Sequence, residues 1–309
     1  MYRLYCLYRL LLFIFDSNMA TEYNLVTFNI ANALNDEKSE TFRFAKRLTA
    51  VITEIKKGFP DVLCLQELRD CKSLDDTSVL TAMSILMEIM GETGLMIAAM
   101  ERVGPIENPM WRATLYNPTK LFHLGSRPHW LNAEKQPTVP GTNVNGSLAM
   151  ILESKFAQFT PITRASLRKS DGTCHPASFM ADVGFSVFNA HFPIEKRHRV
   201  ETSEFVRDLS ATHRGEIYFV VGDMNTFFDD GGDEMMQIMQ SGGLVDFLPP
   251  GTKTFKSFPH DSFQTVSTLD HLFGSVSLGY QVINCRVFDS VDYEVCPSDH
   301  FMCTLQFSL

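Results

Sequence analysis

The sequence predicts a mixed α/β fold with antiparallel strand pairing, and three observations carry that expectation. Short apolar runs of strand length alternate with amphipathic helical stretches along the chain. Strand-like runs stand near both ends, with helices interspersed between them. No internal repeat, low-complexity tract or linker divides the 309 residues, so 19–309 reads as a single domain. Hydrophobic residues at 45% against charged residues at 20% supply a large core and exclude wholesale disorder.

The elements follow in order. Residues 25–29 read as a strand. Phe44, Leu48, Val51, Ile52 and Ile55 then recur at helical spacing, with Lys46, Arg47, Lys56 and Lys57 on the polar side. Gly58-Phe59-Pro60 stops that helix, and 62–65 is an apolar run ending at Gln66-Glu67, the pattern of a buried strand. Val79, Leu80, Met83, Leu86, Met87 and Met90 mark a second helix. Strands are expected at 113–116, 121–124, 148–152, 179–183 and 186–190. The segment 132–146, rich in Pro, Gly and Asn, reads as a surface or functional loop. A helix over 195–210 with Val200, Phe205, Val206 and Leu209 on its apolar face follows, then a buried strand at 217–221 and a short helix at 235–239. Strands at 269–273, 280–288 and 302–307 close the chain.

Twenty-seven basic against thirty-six acidic side chains leave a net charge of −9, which excludes a protein that coats nucleic acid with a broad basic face. The seven cysteines are odd in number and form no C-x-x-C pair. A disulfide framework or a structural zinc site is therefore not expected, and a reducing compartment fits, cytoplasmic with nuclear as the alternative. No stretch reaches the roughly 18 apolar residues of a membrane span. Residues 1–18, with a short apolar run from Leu10 to Phe15, read as a dispensable extension, the sharper alternative being a weak membrane anchor.

Polar residues stand at the ends of the apolar strands. Asn29 ends the first and Glu67 the second. His191 ends the run 187–190, and Asp223 and Asn225 follow 219–222. Asp270 lies in the run 269–273, while Asp299 and His300 precede the last strand. Singly, each has a structural explanation, as a helix cap, a turn former or a satisfied histidine. Together they define one site if the strand ends share an edge. Carboxylates gathered in one cleft repel unless a cation neutralises them, and carboxylate and amide oxygens without thiolates suit magnesium or manganese.

Thr27-Phe28-Asn29, Leu65-Gln66-Glu67, Asn189-Ala190-His191, Gly222-Asp223-Met224-Asn225, Leu269-Asp270-His271 and Ser298-Asp299-His300 resemble, in order and spacing, the motifs of the endonuclease/exonuclease/phosphatase superfamily. The resemblance spans about residues 23–309. It implies a deoxyribonuclease-like four-layer sandwich of two mixed β-sheets flanked by helices, and hydrolysis of a phosphoester by metal-assisted attack of water. It also implies a magnesium ion, or manganese in its place, on Glu67 with Asn29 and Asp299 nearby. His300, oriented by Asp270, would be a general base or a stabiliser of the phosphoryl oxygen. Asp223 and Asn225 would place the water and hold the phosphate, and His191 would donate to a phosphate oxygen.

The resemblance leaves the substrate open between nucleic acid and a small-molecule or lipid head-group phosphate. A non-catalytic binding module is disfavoured by the intact motif set. Arg69, Arg197 and Arg199 are candidates for a basic substrate rim, the alternative for the last two being a solvated helix start. Trp111 and Trp130 could stack a base or simply pack in the core. A monomer is expected.

Overall fold

The computed structural model describes residues 20–30, 44–72, 78–103, 110–131, 150–158, 184–226, 232–256, 266–277, 279–288 and 297–309. The expectations for 1–18, 132–146 and 179–183 lie outside these residues. Two mixed six-stranded sheets stack face to face. In the first the order is β15 (Gln281–Phe288), β16 (Met302–Ser308), β1 (Glu22–Asn29), β2 (Val62–Leu68), β6 (Met110–Tyr116) and β5 (Met96–Val103). In the second it is β11 (Leu244–Asp246), β14 (Asp270–Ser275), β10 (Ile217–Asp223), β9 (Gly184–His191), β8 (Met150–Gln158) and β7 (Leu121–Trp130). Two short ribbons, β3 (Cys71–Lys72) with β4 (Val79–Leu80) and β12 (Phe255–Lys256) with β13 (Val266–Ser267), border the sheets. Helices α1 (Phe44–Lys57) and α2 (Ala82–Thr93) cover one outer face, and α3 (Lys196–Thr212) and α4 (Gly232–Ser241) the other.

Alternation of side chains along each strand divides the core into layers. Leu25, Val62, Cys64, Leu305 and Phe307 of the first sheet meet Phe185, Val187, Phe219, Val221 and Leu272 of the second. The neighbouring residues Val26, Phe28, Leu63 and Leu65 face outward onto Val51, Ile55, Ile85 and Ile89 of α1 and α2. Phe188, Val220 and Phe273 do the same beneath α3 and α4. Inter-sheet aromatic contacts, such as Phe219 with Phe307 at 4.6 Å between centroids, fill the middle layer.

The elements depart from the sequence expectations in a few places. Val79 and Leu80 form a short strand, and the second helix begins at Ala82 behind the N-cap Thr81, whose side chain accepts from Ser84 N. The strand Met96–Val103 was not anticipated: its uninterrupted Met, Ile and Ala lack the two-residue alternation that marks a half-exposed strand. Arg47 belongs to the buried face of α1 and not to its polar side. Trp111 and Trp130 pack against hydrophobic clusters, the core alternative. Cys64, Cys71, Cys285 and Cys303 are free thiols. No helix among the described residues is long and apolar enough to cross a membrane.

Candidate active site

Register brings the polar strand ends to one edge. β1 and β2 run parallel with Asn29 opposite Gln66, and β9 and β10 run parallel with His191 opposite Asp223. β14 is antiparallel to β10, so its first residue, Asp270, lies opposite Asp223. β16 is antiparallel to β1, which returns Asp299 and His300 to the same edge. Asn29 shares the inner face of its strand with Leu25, Asp223 with Val221, and Asp270 with Leu272, so these polar groups continue the inter-sheet core layer upward.

Glu67 is placed differently. Strict alternation from Cys64 and Gln66 would send it outward to the helices. The ladder to β6 slips between Leu65 and Leu68, and Glu67 adopts φ +59°, in the left-handed region that a non-glycine residue occupies at a cost. The bulge turns Glu67 back toward the cleft, where Asn29 Nδ2 donates to its Oε1 at 3.1 Å. Asn225, at φ +50°, is the second such residue at the site. Strain of this kind persists where surrounding contacts over-determine it. Here Asn225 N donates to Asp223 Oδ1 at 2.8 Å and Asn225 Nδ2 to the Phe192 carbonyl at 2.8 Å.

Asp223 is the hub. Its Oδ2 accepts from Asn29 Nδ2 at 3.0 Å and lies 3.4 Å from His191 Nε2 and 3.6 Å from His300 Nε2. His300 Nδ1 sits 2.8 Å from Asp270 Oδ2, and His191 Nε2 sits 3.8 Å from Glu67 Oε1. Among the described residues two groups could each grip one ion, Glu67 with His191 and Asp223, and Asp223 with Asp270 and His300. Asp299 lies outside both groups, although it feels the charges of His300 and Glu67. Ser298 Oγ ties this corner together, donating to the Asn29 carbonyl at 2.7 Å and accepting from His300 N at 3.1 Å.

Burial pushes Asp223 up to about 7, with Asp270 and Glu67 adding to the effect and His300 opposing it. Burial likewise raises Asp299 to about 6 against the pull of His300. Burial alone would lower His300, but the carboxylates of Asp270, Asp223 and Asp299 outweigh it and hold the imidazole well above its ordinary value. His191 is held well below, by burial first and then by Arg112, His300 and Arg69. Both carboxyls are driven up chiefly by burial, with neighbouring carboxylates adding to it, so a bound cation would favour their ionised forms. Carboxylates and an amide oxygen, with no thiolate among them, are donors that magnesium or manganese accepts, so the residues present fit such an ion.

Several contributors were not foreseen. Arg47 Nη1 donates to the Pro297 carbonyl at 2.6 Å and to Ile30 O at 3.3 Å, joining the end of β1 to the segment carrying Asp299. Its position in the 44-47-48-51 stripe was the available signal. Arg112, fully buried in β6, donates from Nη2 to the His191 carbonyl at 2.6 Å. Burial pushes its guanidinium down to about 9 while Asp223 opposes the change. A charged residue within the apolar run 110–116 pointed to it. Gln66 Nε2 donates across the sheets to Asn189 Oδ1 at 2.8 Å, and Asn189 Nδ2 to the Ala113 carbonyl at 2.9 Å, a polar staple beneath the site.

The candidate rim arginines separate. Arg197 is exposed and pairs with Glu201 at 3.0 Å one helical turn on. Arg69 is half-buried and close enough to depress His191. Arg199 corrects the expectation: it is buried and its Nη1 donates to the Ile194 carbonyl, so it braces the start of α3 from inside.

The sequence matches no known family model and no curated protein. Solved structures do share its fold. An endonuclease/exonuclease/phosphatase family protein from Bacteroides thetaiotaomicron aligns over 94% of this chain and 98% of its own at TM-score 0.61 and 19% identity. TDP2 from D. rerio, complexed with single strand DNA product, aligns over 94% and 100% at TM-score 0.62 and 10% identity. A mannosyl-6-phosphatase from the same Bacteroides species aligns over 93% and 100% at TM-score 0.58 and 18% identity. The chain therefore has the deoxyribonuclease-like fold of the endonuclease/exonuclease/phosphatase structures, the architecture that its six motifs imply.

Proposed function

We propose that the protein is a divalent-metal-dependent phosphoester hydrolase, acting on phosphodiesters of nucleic acid. The observation that supports this best is the convergence on Asp223 of Asn29, His191 and His300, with Glu67 and Asp270 one contact further out. Glu67, with Asn29 and Asp299 beside it, would hold magnesium or manganese. Such an ion, when bound, supplies neutralisation of the phosphate charge and polarisation of a phosphoryl oxygen.

This chain's own residues do the rest. Asp223 Oδ2 takes a proton from water as the water oxygen bonds to phosphorus. The bond from phosphorus to the leaving oxygen breaks, and that oxygen leaves protonated, its proton coming from solvent. Asn225 and Asn29 fix the carboxylate so that water is placed in line, the positioning that bimolecular displacement requires. His300 Nε2 and His191 Nε2 face the same oxygen of Asp223 and donate to the developing charge on the phosphoryl group. Asp270 keeps the His300 proton on Nδ1.

The second reading is a phosphatase acting on small phosphomonoesters. It is favoured by the net charge of −9, and by an Arg199 turned inward and an Arg197 paired with Glu201, two of the three candidate rim arginines. One assay panel tests both: single- and double-stranded DNA, RNA, bis-p-nitrophenyl phosphate and sugar and inositol phosphates, each with magnesium, manganese or EDTA. Metal-dependent cleavage of polynucleotides supports the first reading. Release of phosphate from monoesters alone supports the second. No metal-dependent hydrolysis of any of them removes both.

A further inference from the structure

His271 follows Asp270 in β14, and strand alternation turns it away from the cleft. Its ring stacks on Phe273 of the outer layer at 5.5 Å between centroids. There it makes two short contacts, Nδ1 to Asp246 Oδ2 at 2.7 Å and Nε2 to Thr226 Oγ1 at 2.7 Å. Both ends of this bridge are anchored. Asp246 Oδ1 accepts from Leu248 N at 3.1 Å, and the Thr226 hydroxyl donates to the Thr268 carbonyl at 2.6 Å. Three side chains, Asp246, His271 and Thr226, therefore link the Leu248 amide to the Thr268 carbonyl in one continuous hydrogen-bonded chain across β11, β14 and the segment after β10.

Thr226 is the residue next to Asn225, whose left-handed backbone and two hydrogen bonds fix Asp223. Asn225 is thus held from the inner face by Asp223 and Phe192, and its successor is held from the outer face by His271. The backbone contact Met224 N to Leu269 O at 2.7 Å closes the same turn against β14. A strained turn relaxes when either restraint is lost. We propose that His271 is a positioning residue: by bridging Asp246 and Thr226 on the outer face of the second sheet, it holds the Asn225 turn, and with it Asp223, in reacting geometry. The inference rests on the phosphoester-hydrolase reading of the site.

Thr226, Asp246, Thr268 and His271 border a cavity of about 550 Å³, walled by residues such as Met236 and Leu248. Shortening His271 therefore opens onto an existing space and leaves no sealed void, which separates its effect on turnover from a collapse of the core.

The test is steady-state hydrolysis of bis-p-nitrophenyl phosphate with magnesium by the full chain and its variants H271A, T226V and T226S. Partners that orient reacting groups typically matter about 10- to 100-fold. H271A and T226V are expected to lower kcat by about that factor with KM unchanged. T226S, which keeps the hydroxyl, is expected to retain wild-type kcat. Backbone hydrogen exchange over 223–226 should quicken in H271A and T226V and not in T226S. Wild-type kcat in both H271A and T226V overturns the proposal, and so does a T226S variant as impaired as T226V, which would make the methyl group the working part. A wild-type protein inactive on every substrate of the panel above overturns the hydrolase reading itself, a result distinct from either; activity on monoesters alone moves the same comparison of variants to a monoester substrate.

Discussion

The imidazole of His300 is suspended between Asp270, 2.8 Å from its Nδ1, and Asp223, 3.6 Å from its Nε2. Strands β14 and β10 are antiparallel neighbours with these two aspartates in register, so the pair of carboxylates is a product of sheet pairing and not of a flexible loop. Asp270 is held in turn by Thr254, whose Oγ1 accepts from Asp270 N at 2.9 Å.

Replacement of Asp270 by Asn keeps the shape and removes the charge that orients His300 and keeps its imidazole protonated. Acid–base and orienting groups of this kind contribute about 10²–10⁴-fold. We expect D270N to lower kcat on bis-p-nitrophenyl phosphate within that range with KM little changed. A kcat equal to that of the wild type would remove Asp270 from the site.

Ion binding should be visible without turnover. A ligand that binds only the folded state adds about 2.7 kcal/mol at one hundred times its dissociation constant. Manganese at that level is expected to raise the melting temperature of the wild type, and E67Q to lose most of the rise. An equal rise in both proteins would place the ion away from Glu67.

Gly222 is fixed by the close approach of β9. It adopts φ +138°, and a Cβ built on it would lie 1.9 Å from the Ala190 carbonyl oxygen. That neighbour is backbone within a central strand pair and cannot yield. G222A is expected to destabilise the fold by about 3 kcal/mol or more, from strain together with the disrupted pairing. Urea unfolding measures it, and a midpoint unchanged from wild type would refute it.

A separate charged cluster sets a pH window for stability. Glu153 is buried under α3, with Arg127 Nε at 2.5 Å, His129 Nε2 at 2.7 Å and His213 Nε2 at 3.4 Å. Burial alone would raise its carboxyl, but these donors outweigh burial and hold it far below its ordinary 4.5. His213 is raised above its ordinary 6.5, chiefly by its bond to Glu153. A depressed carboxyl contributes stability above its ordinary value that drains away as pH falls. A raised imidazole contributes below its ordinary value and loses the contribution as pH climbs through the raised one. The two together favour the interval between 4.5 and 6.5. Unfolding free energies from about pH 3 to about pH 8 should show both limbs flattened in E153Q. Limbs as steep as those of the wild type would assign them to other groups.

The sequence alone determined the layers and the chemistry on offer. Alternation and helical spacing are local properties, so they marked most of the strands and all four described helices, and six short motifs named the polar residues at the strand ends. What they could not convey is any relation between residues far apart in the chain. The 194 positions separating Asn29 from Asp223 became a 3.0 Å contact only through the stacking of two sheets. The inward turn of Glu67 depends on a bulge against β6, and that of Arg47 depends on a carbonyl supplied by Pro297, 250 positions away, while Arg199 turns back onto the Ile194 carbonyl at the start of its own helix. A charged side chain on a helix reads as solvent-facing until the carbonyls it can reach are known, because the local pattern records periodicity and not the partner that offsets burial. Tertiary structure therefore decided which of the offered groups meet, and which arginines serve the frame and not the surface.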